Sequence, residues 1–244
     1  MPEGPEVRRV YEDLRQEIGD SQVTQLQVFS GRFLKKRPVG LDQVVLPSRV
    51  VDGGVKGKFM WLEFQTGATM WITLGMSGYW STELAPHSHF GIGIEDTRSL
   101  YFVDQRRFGT LKFSHDRAEL NKKLASLGGD PLNDAEFTML KFNQAIRKYP
   151  NKTIVEVLMN QKVCAGVGNY IKCEESCRLH MHKVEPVFET TRESVAKRAS
   201  LYLNLRSIHR NRIPTEIRLF VKRLWTAVPP TGCRKFSDKY LKEY

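Results

Sequence analysis

The chain has 244 residues, 41% hydrophobic and 27% charged, a composition typical of a globular protein that excludes a wholly disordered one. Its 38 Lys and Arg exceed its 27 Asp and Glu, and the net charge of +11 favours a polyanionic partner, nucleic acid before an anionic membrane. Four cysteines in a chain this long do not predict a disulfide scaffold, the first residues do not resemble a secretory signal, and no apolar run is long enough to span a membrane.

The N-terminal half is predicted to be one helix followed by strands. Val7, Leu14 and Ile18 recur at helical spacing, and Pro5 stands where the first turn of a helix tolerates proline. Short segments rich in β-branched and aromatic residues then predict strands at 23–29, 59–64, 69–73, 90–94, 100–103 and 111–113. Because these strands follow one another without intervening helices, they predict an antiparallel sandwich or barrel rather than a parallel sheet.

After residues 127–132, which contain Gly-Gly-Asp-Pro, the hydrophobic periodicity becomes helical. Helices are predicted near 135–147, 152–162, 169–179, 190–207 and 215–226. We therefore predict two domains, a β domain at 1–127 and a helical domain at 133–244. The last 44 residues carry ten Lys or Arg against three acids, which makes this tail a candidate surface for a polyanion.

Pro2 is the first residue with a distinctive chemical reactivity. Removal of Met1 would leave a free secondary amine, and α-amino groups have a pKa far below that of lysine, so much of it would be unprotonated and nucleophilic near neutral pH. Glu3 and Glu6 follow, and carboxyl groups beside such an amine can exchange protons while it attacks a carbonyl carbon. The alternative is that this segment only opens the first helix.

Six sequence blocks occur in a fixed order along residues 1–171. They are MPEGPEV (1–7), KGKFMWLE (56–63), LGMSG (74–78), DQRRFG (104–109), LGGDPL (127–132), and MNQK with AGVGNYI (159–171). In this order they resemble the formamidopyrimidine-DNA glycosylase and endonuclease VIII family. The resemblance implies an α+β multidomain fold: an N-terminal antiparallel β-sandwich with a leading helix, then a helical domain with a helix–two-turns–helix motif.

The same resemblance implies a DNA-repair enzyme, a bifunctional glycosylase and abasic-site lyase without a cofactor. Pro2 would attack C1′ of the damaged nucleotide and form a Schiff base, and Glu3 would protonate the deoxyribose ring oxygen. Lys58 would serve the acid–base steps, its alternative being a solvated strand lysine. Subsequent β- and δ-elimination would break the strand.

Other residues are implied to hold the DNA. Chemistry at C1′ requires the nucleotide to leave the stack, and the side chains that would fill the void are Met76, Arg106 and Phe108. Contacts to phosphates are implied for His89, Arg107, Lys152 and Asn169. The alternatives are a loop methionine packed on the sheet at position 76, a core phenylalanine at position 108 and a purely structural strand histidine at position 89.

The C-terminus departs from the pattern of the family. Most members end in a four-cysteine zinc hairpin that presents an arginine, but no C-x2-C pair exists here, and Arg234 is the candidate for that arginine. Glu6 and Glu174 complete the acidic candidates. A zinc site is conceivable at Cys173, Cys177, His180 and His182. Their spacing differs from common ligand patterns, so we predict no metal.

The expected partner is double-stranded DNA with oxidised bases or abasic sites. Gly4 is typical of the endonuclease VIII branch, so we expect oxidised pyrimidines first and ring-opened purines second. We expect an intracellular monomer without membrane association, located in the nucleus of a eukaryote, the cytoplasm or nucleoid of a bacterium, or as the host dictates for a virus. The alternative function is a non-catalytic nucleic-acid-binding protein that uses the helix–two-turns–helix and the basic tail, although such a protein has no need of Pro2, Glu3 and Lys58 together.

Overall fold

The computed structural model describes residues 2–152 and 154–171. The helices in this part are α1 Gly4–Ile18, α2 Arg32–Lys35, α3 Arg117–Ala125, α4 Met139–Arg147 and α5 Ile154–Met159. The strands are β1 Gln22–Val28, β2 Ser48–Lys56, β3 Phe59–Phe64, β4 Thr69–Thr73, β5 Tyr79–Ser81, β6 Ser88–Ile94, β7 Ser99–Val103 and β8 Thr110–Ser114. The candidates Glu174 and Arg234, the four conceivable zinc ligands, the basic tail and the helices predicted beyond 179 lie outside the described residues.

The strands form one antiparallel sheet in the order β5-β7-β6-β1-β2-β3-β4-β8. Phe90 of β6 and Phe113 of β8 are far apart in this order, yet their ring centroids are 6.1 Å apart. The sheet therefore folds so that its two halves face each other across a shared core. All six predicted strands are present, and the antiparallel arrangement is confirmed.

Helix α1 closes one side of this core. Its apolar positions Val7, Leu14 and Ile18 are buried, as their spacing predicted, and each such side chain contributes roughly 1.5–3 kcal/mol when fully buried. Proline stands in the first turn, where its missing N–H is not needed. The helix ends at Gly19, which has φ +55° and donates its N–H to the carbonyl of Arg15 at 2.9 Å.

Strand β2 was not predicted, because its Asp-Gly-Gly sequence is typical of a turn. The structure explains why glycines occur inside this strand. A Cβ at Gly53 would stand 2.5 Å from the carbonyl oxygen of Trp61, and one at Gly54 would stand 2.6 Å from the indole ring of the same residue. Strand β5 and helices α2 and α3 were also missed, since they are short or carry little amphipathic pattern.

The segment 127–132, predicted to separate two domains, is packed rather than extended. Gly128 donates its N–H to the carbonyl of Gln161, and Gly129 accepts from the N–H of Ala165, both at 2.9 Å. A second apolar cluster lies behind this segment and includes Phe137, Phe142, Ile146, Val157, Leu158, Val163, Val167 and Ile171. The division into two domains stays a prediction.

Candidate active site

Three distant parts of the chain meet at glycines. The N–H of Gly4, at the start of α1, donates to the carbonyl of Gly166 at 2.9 Å. Gly57, in the turn between β2 and β3, has φ +61°, and a Cβ there would stand 2.5 Å from the nitrogen of Gly166. Because the backbones are in direct contact, side chains have no room here. Each part carries a candidate functional residue: Glu3, Lys58 and Asn169.

Glu3 is buried, with 1% of its surface exposed. Its carboxylate accepts the backbone N–H groups of Gly168 at 2.6 Å, Tyr170 at 2.9 Å and Ile171 at 3.3 Å. Residues 169–171 are helical, so these donors belong to the start of a helical segment, where N–H groups have no partner within the helix. The residue next to Pro2 is thereby fixed to a segment 165 residues away in the sequence.

Lys58 lies at the tip of the β2–β3 hairpin, in a two-residue turn that follows Lys56. Gly168 lies between the side chain of Lys58 and the carboxylate of Glu3. A Cβ on Gly168 would stand 2.5 Å from the Nζ atom of Lys58 and closer still to the Glu3 carboxylate. The ammonium and the carboxylate therefore face the same small space, and only glycine fits between them.

Burial shifts both ionisable groups toward their neutral forms. It raises the pKa of the Glu3 carboxyl above its usual value, although the N–H donors and Lys58 act in the opposite direction. It lowers the pKa of the Lys58 ammonium, and the charges of Glu3 and Glu6 offset part of this effect. These shifts bring the two pKa values closer together, as is expected for side chains that exchange protons as an acid–base pair.

Glu6 connects the beginning of the chain to Tyr170. One oxygen of its carboxylate accepts the N–H of Glu3 at 3.0 Å, and the other accepts the hydroxyl of Tyr170 at 2.6 Å. The N–H of Glu3 belongs to the peptide unit that joins it to Pro2. Glu6 therefore orients the peptide next to Pro2, which is itself half-buried.

Asp130 is a buried residue that sequence reasoning missed as part of the site. Its carboxylate accepts the N–H of Gly57 at 2.6 Å, the N–H of Leu132 at 2.9 Å, and the backbone and side-chain N–H groups of Asn133 at 3.1 and 2.7 Å. The bond to Gly57 fixes the hairpin turn that carries Lys58. No local pattern signals this contact, because the partners are 73 residues apart.

We expect Asp130→Ala to destabilise the protein by about 2–3 kcal/mol, because buried N–H donors lose a charged acceptor. Chemical denaturation monitored by tryptophan fluorescence measures the change. Asp42→Ala is the matched control: its pair with Arg37 is exposed, so the free energy of unfolding should fall by less than about 1 kcal/mol. Equal effects of the two substitutions would contradict a special role of Asp130.

The three void-filling candidates lie on two loops that touch each other. The Nη1 atom of Arg106 is 3.7 Å from the sulfur of Met76. Phe108 is exposed to 57%, so it does not lie in the core, and Met76 is exposed to 40%. Arg107 is also exposed and has φ +58°.

His89 is 3% exposed, and both ring nitrogens have partners inside the protein. Its Nδ1 is 2.7 Å from the hydroxyl of Ser30, and its Nε2 is 2.9 Å from the carbonyl oxygen of Asp104. The position therefore favours the structural alternative over the predicted phosphate contact. Its bond to Asp104 supports the loop that carries Arg106 and Phe108.

The remaining phosphate candidates are exposed. Asn169 directly follows Gly168, and Lys152 precedes α5 and forms an ion pair with Glu156 at 3.2 Å. Within 2–152 and 154–171, no cluster of His, Cys, Asp or Glu is suited to hold a metal ion. Cys164 in this part is inert, since burial raises the pKa of its thiol to about 12.

Comparisons with known proteins identify the family of this chain. The family model described as the formamidopyrimidine-DNA glycosylase N-terminal domain matches residues 1–111. A formamidopyrimidine-DNA glycosylase of Salinispora tropica is 32% identical over 206 residues, covering 81% of this chain and 71% of that relative. The chain belongs to the formamidopyrimidine-DNA glycosylase family. The family and the enzyme class that the sequence predicted, a DNA glycosylase, are thereby confirmed.

Two solved structures of this family have the same fold. MutM (Fpg) from Thermus thermophilus gives a TM-score of 0.62 at 23% identity and covers 91% of this chain and 76% of its own. Fpg of Lactococcus lactis in complex with DNA containing an abasic site gives 0.65 at 20% identity, covering 91% and 75%. Among the described residues of this glycosylase, no helix is long and apolar enough to cross a membrane.

Proposed function

We propose that the protein excises oxidised bases from double-stranded DNA and cleaves the strand at the resulting abasic site. The observation that carries the proposal is the meeting of Glu3 and Lys58 at Gly168, next to Pro2 in the chain. A protein that only binds nucleic acid has no need to bury a carboxyl and an amine together. Membership in a DNA glycosylase family supports the same conclusion.

In the proposed reaction, the amine of Pro2, freed by removal of Met1, attacks C1′, and the bond between C1′ and the base breaks. Glu3 delivers a proton to the ring oxygen as the sugar opens, and its raised pKa supports the protonated form that this step requires. The resulting iminium acidifies the neighbouring C2′ position, so elimination breaks the sugar–phosphate bonds. Lys58, whose pKa is lowered, serves the accompanying proton transfers.

Oxidised pyrimidines are the proposed first substrates, and ring-opened purines the second. Gly4 suggested this order, but it also has a structural reason to be glycine: a Cβ would stand 3.3 Å from the Cα of Gly166. The relatives named formamidopyrimidine-DNA glycosylases support activity on ring-opened purines. Both base classes therefore belong in the test.

The phosphate contacts proposed for DNA binding are Arg107, Lys152 and Asn169. The first two are cations, and Asn169 is an exposed residue whose side-chain amide can donate to a phosphate oxygen. Such contacts position the duplex without reading its sequence. Binding should therefore weaken steeply as salt concentration rises.

The test compares end-labelled duplexes that contain an oxidised pyrimidine, a ring-opened purine, an abasic site or no damage. We expect strand cleavage on the first three and none on the fourth, with the oxidised pyrimidine processed faster than the purine. Lys58→Ala should lower turnover on the damaged duplexes at least about tenfold. The matched control Lys122→Ala, on the exposed face of α3, should retain the original rate.

Tight binding to all four duplexes without cleavage of any would contradict the proposal and favour the non-catalytic alternative. A faster reaction on the ring-opened purine would reverse the proposed order of substrates and leave the reaction itself intact.

A further inference from the structure

A single buried carboxylate joins the two loops that carry the void-filling candidates. We call the loops 74–78 and 104–109 the wedge loops. Asp104 is 1% exposed, and one of its carboxylate oxygens accepts the hydroxyl of Ser77 at 2.6 Å. The other oxygen accepts the N–H of Gly109 at 2.7 Å. Asp104 therefore binds one loop through a side chain and closes the other on itself.

The Ser77 hydroxyl extends this connection to Arg106. While it donates to Asp104, its oxygen accepts the N–H of Arg106 at 3.0 Å. The three groups form a continuous chain of hydrogen bonds between loops that are 27 to 29 residues apart in sequence. Because charged acceptors make stronger bonds than neutral ones, this connection is well suited to hold both loops in one arrangement.

Steric contacts exclude a closer approach of the wedge loops. Gly75 has φ +63°, and a Cβ there would stand 2.5 Å from both the nitrogen of Gly109 and the carbonyl carbon of Phe108. The loop backbones are thus in van der Waals contact, next to the exposed side chains of Met76 and Phe108. The two loops cannot approach each other further, and the hydrogen bonds of Ser77 to Asp104 and Arg106 oppose their separation.

Residues of α2 and β6 hold the wedge loop 104–109 in place. Arg32 of α2 donates to the carbonyl of Arg107 at 3.1 Å and also to the carbonyl of Gly109. His89 of β6 lies 2.9 Å from the carbonyl of Asp104. The loop is therefore fixed from two sides, and Arg107 within it has φ +58°.

We propose that Asp104 and Ser77 are positioning residues that couple the wedge loops, so that Met76, Arg106 and Phe108 enter the duplex as one rigid unit. The inference rests on the proposed function. Extrusion of a base costs a few kcal/mol, and a preformed wedge offsets this cost without further ordering of loops. The coupling acts on base extrusion and leaves the chemistry at Pro2 and Glu3 untouched.

The substitution that tests the coupling is Ser77→Ala, which removes the bridging hydroxyl at a half-buried position and leaves the Asp104 bond to Gly109. The matched control is Ser81→Ala at the end of β5, which removes a hydroxyl that donates to the carbonyl of Glu83 and accepts the N–H of the same residue. We expect Ser77→Ala to lower kcat/KM on an oxidised-base duplex about tenfold. Borohydride trapping on single-stranded abasic-site DNA, which needs no extrusion, should change less than about twofold.

A second measurement reads the wedge without catalysis. A duplex that carries 2-aminopurine beside a reduced abasic-site analogue should become more fluorescent when the protein unstacks it, and Ser77→Ala should give a smaller and slower rise than the unmodified protein or Ser81→Ala. If the fluorescence differs between the unmodified protein and Ser77→Ala as expected, but the unmodified protein cleaves no duplex, the result refutes the proposed function and supports the coupling. Equal fluorescence changes, or equal losses on duplex and single-stranded substrates, overturn the coupling.

Discussion

Replacement or blocking of the Pro2 amine is expected to impair or abolish the covalent complex with abasic-site DNA. The proposed nucleophile is an α-amino group, unprotonated in part at neutral pH, and Glu6 fixes the peptide that follows it. In Pro2→Gly the remaining primary amine is less constrained, so borohydride trapping should slow by more than about tenfold. A protein with one extra residue before Pro2 should form no adduct, because its proline nitrogen is an amide.

Pro5→Ala is the matched control for this experiment. It removes a proline from the same segment, in the first turn of α1, and leaves the amine of Pro2 unchanged. Trapping by Pro5→Ala should match that of the unmodified protein. N-terminal sequencing of the cross-linked peptide identifies the attachment point, and efficient trapping by the N-terminally extended protein would eliminate Pro2 as the nucleophile.

Glu3→Gln is expected to separate base excision from strand cleavage. An amide cannot deliver the proton that ring opening requires, and general acid catalysis contributes about 10²–10⁴-fold, so activity on oxidised-base duplexes should fall by at least about a hundredfold. Trapping on preformed abasic sites should fall far less, because the base is already absent. Single-turnover rates on both substrates measure the two effects, with Glu12→Gln in the exposed pair with Arg8 as control.

The same substitution should lower stability, because the amide NH2 group faces backbone donors at Gly168, Tyr170 and Ile171. A buried donor left without an acceptor costs about 1–3 kcal/mol, so the activity comparison must be made below the unfolding temperature of the variant. Parallel losses on oxidised-base and abasic duplexes would mean that Glu3 only anchors the residues 168–171.

The raised pKa of Glu3 also gives a pH dependence with a definite sign. Excision requires both the unprotonated Pro2 amine and the protonated Glu3 carboxyl, so the increase in rate that deprotonation of the amine alone would give should level off once the pH exceeds the raised pKa of Glu3. The folded protein binds this proton more tightly than the unfolded chain, so stability decreases over the same rise in pH. Glu3→Gln should lack both dependences.

Much of the architecture was predictable because its signals are local. The apolar spacing of α1 and the β-branched and aromatic composition of β3 and β4 each describe one element, and those elements formed as predicted. Strand β2 could not be predicted, since the reason for Gly53 and Gly54 is the neighbouring Trp61 on another strand. The prediction of β2 failed because this strand depends on a side chain of its neighbour β3.

For the candidate site, the chemical groups could be identified from the sequence alone. The blocks around Pro2, Glu3 and Lys58 identified an amine, a carboxyl and an ammonium, together with the family to which they belong. These identifications need no coordinates, because the type of a side chain and its order in the chain define the resemblance.

The contacts that hold those groups in place could not be predicted from the sequence. That Gly168 is the residue between the Glu3 carboxylate and Lys58, and that Asp130 and Asp104 fix the hairpin and the wedge loops, follows from contacts across 27 to 165 residues of sequence. The structure likewise shows that both ring nitrogens of His89 have hydrogen-bond partners inside the protein, which favours its structural alternative. Local sequence patterns record the preferences of one segment, whereas burial and hydrogen-bond partners arise only when separate segments pack together.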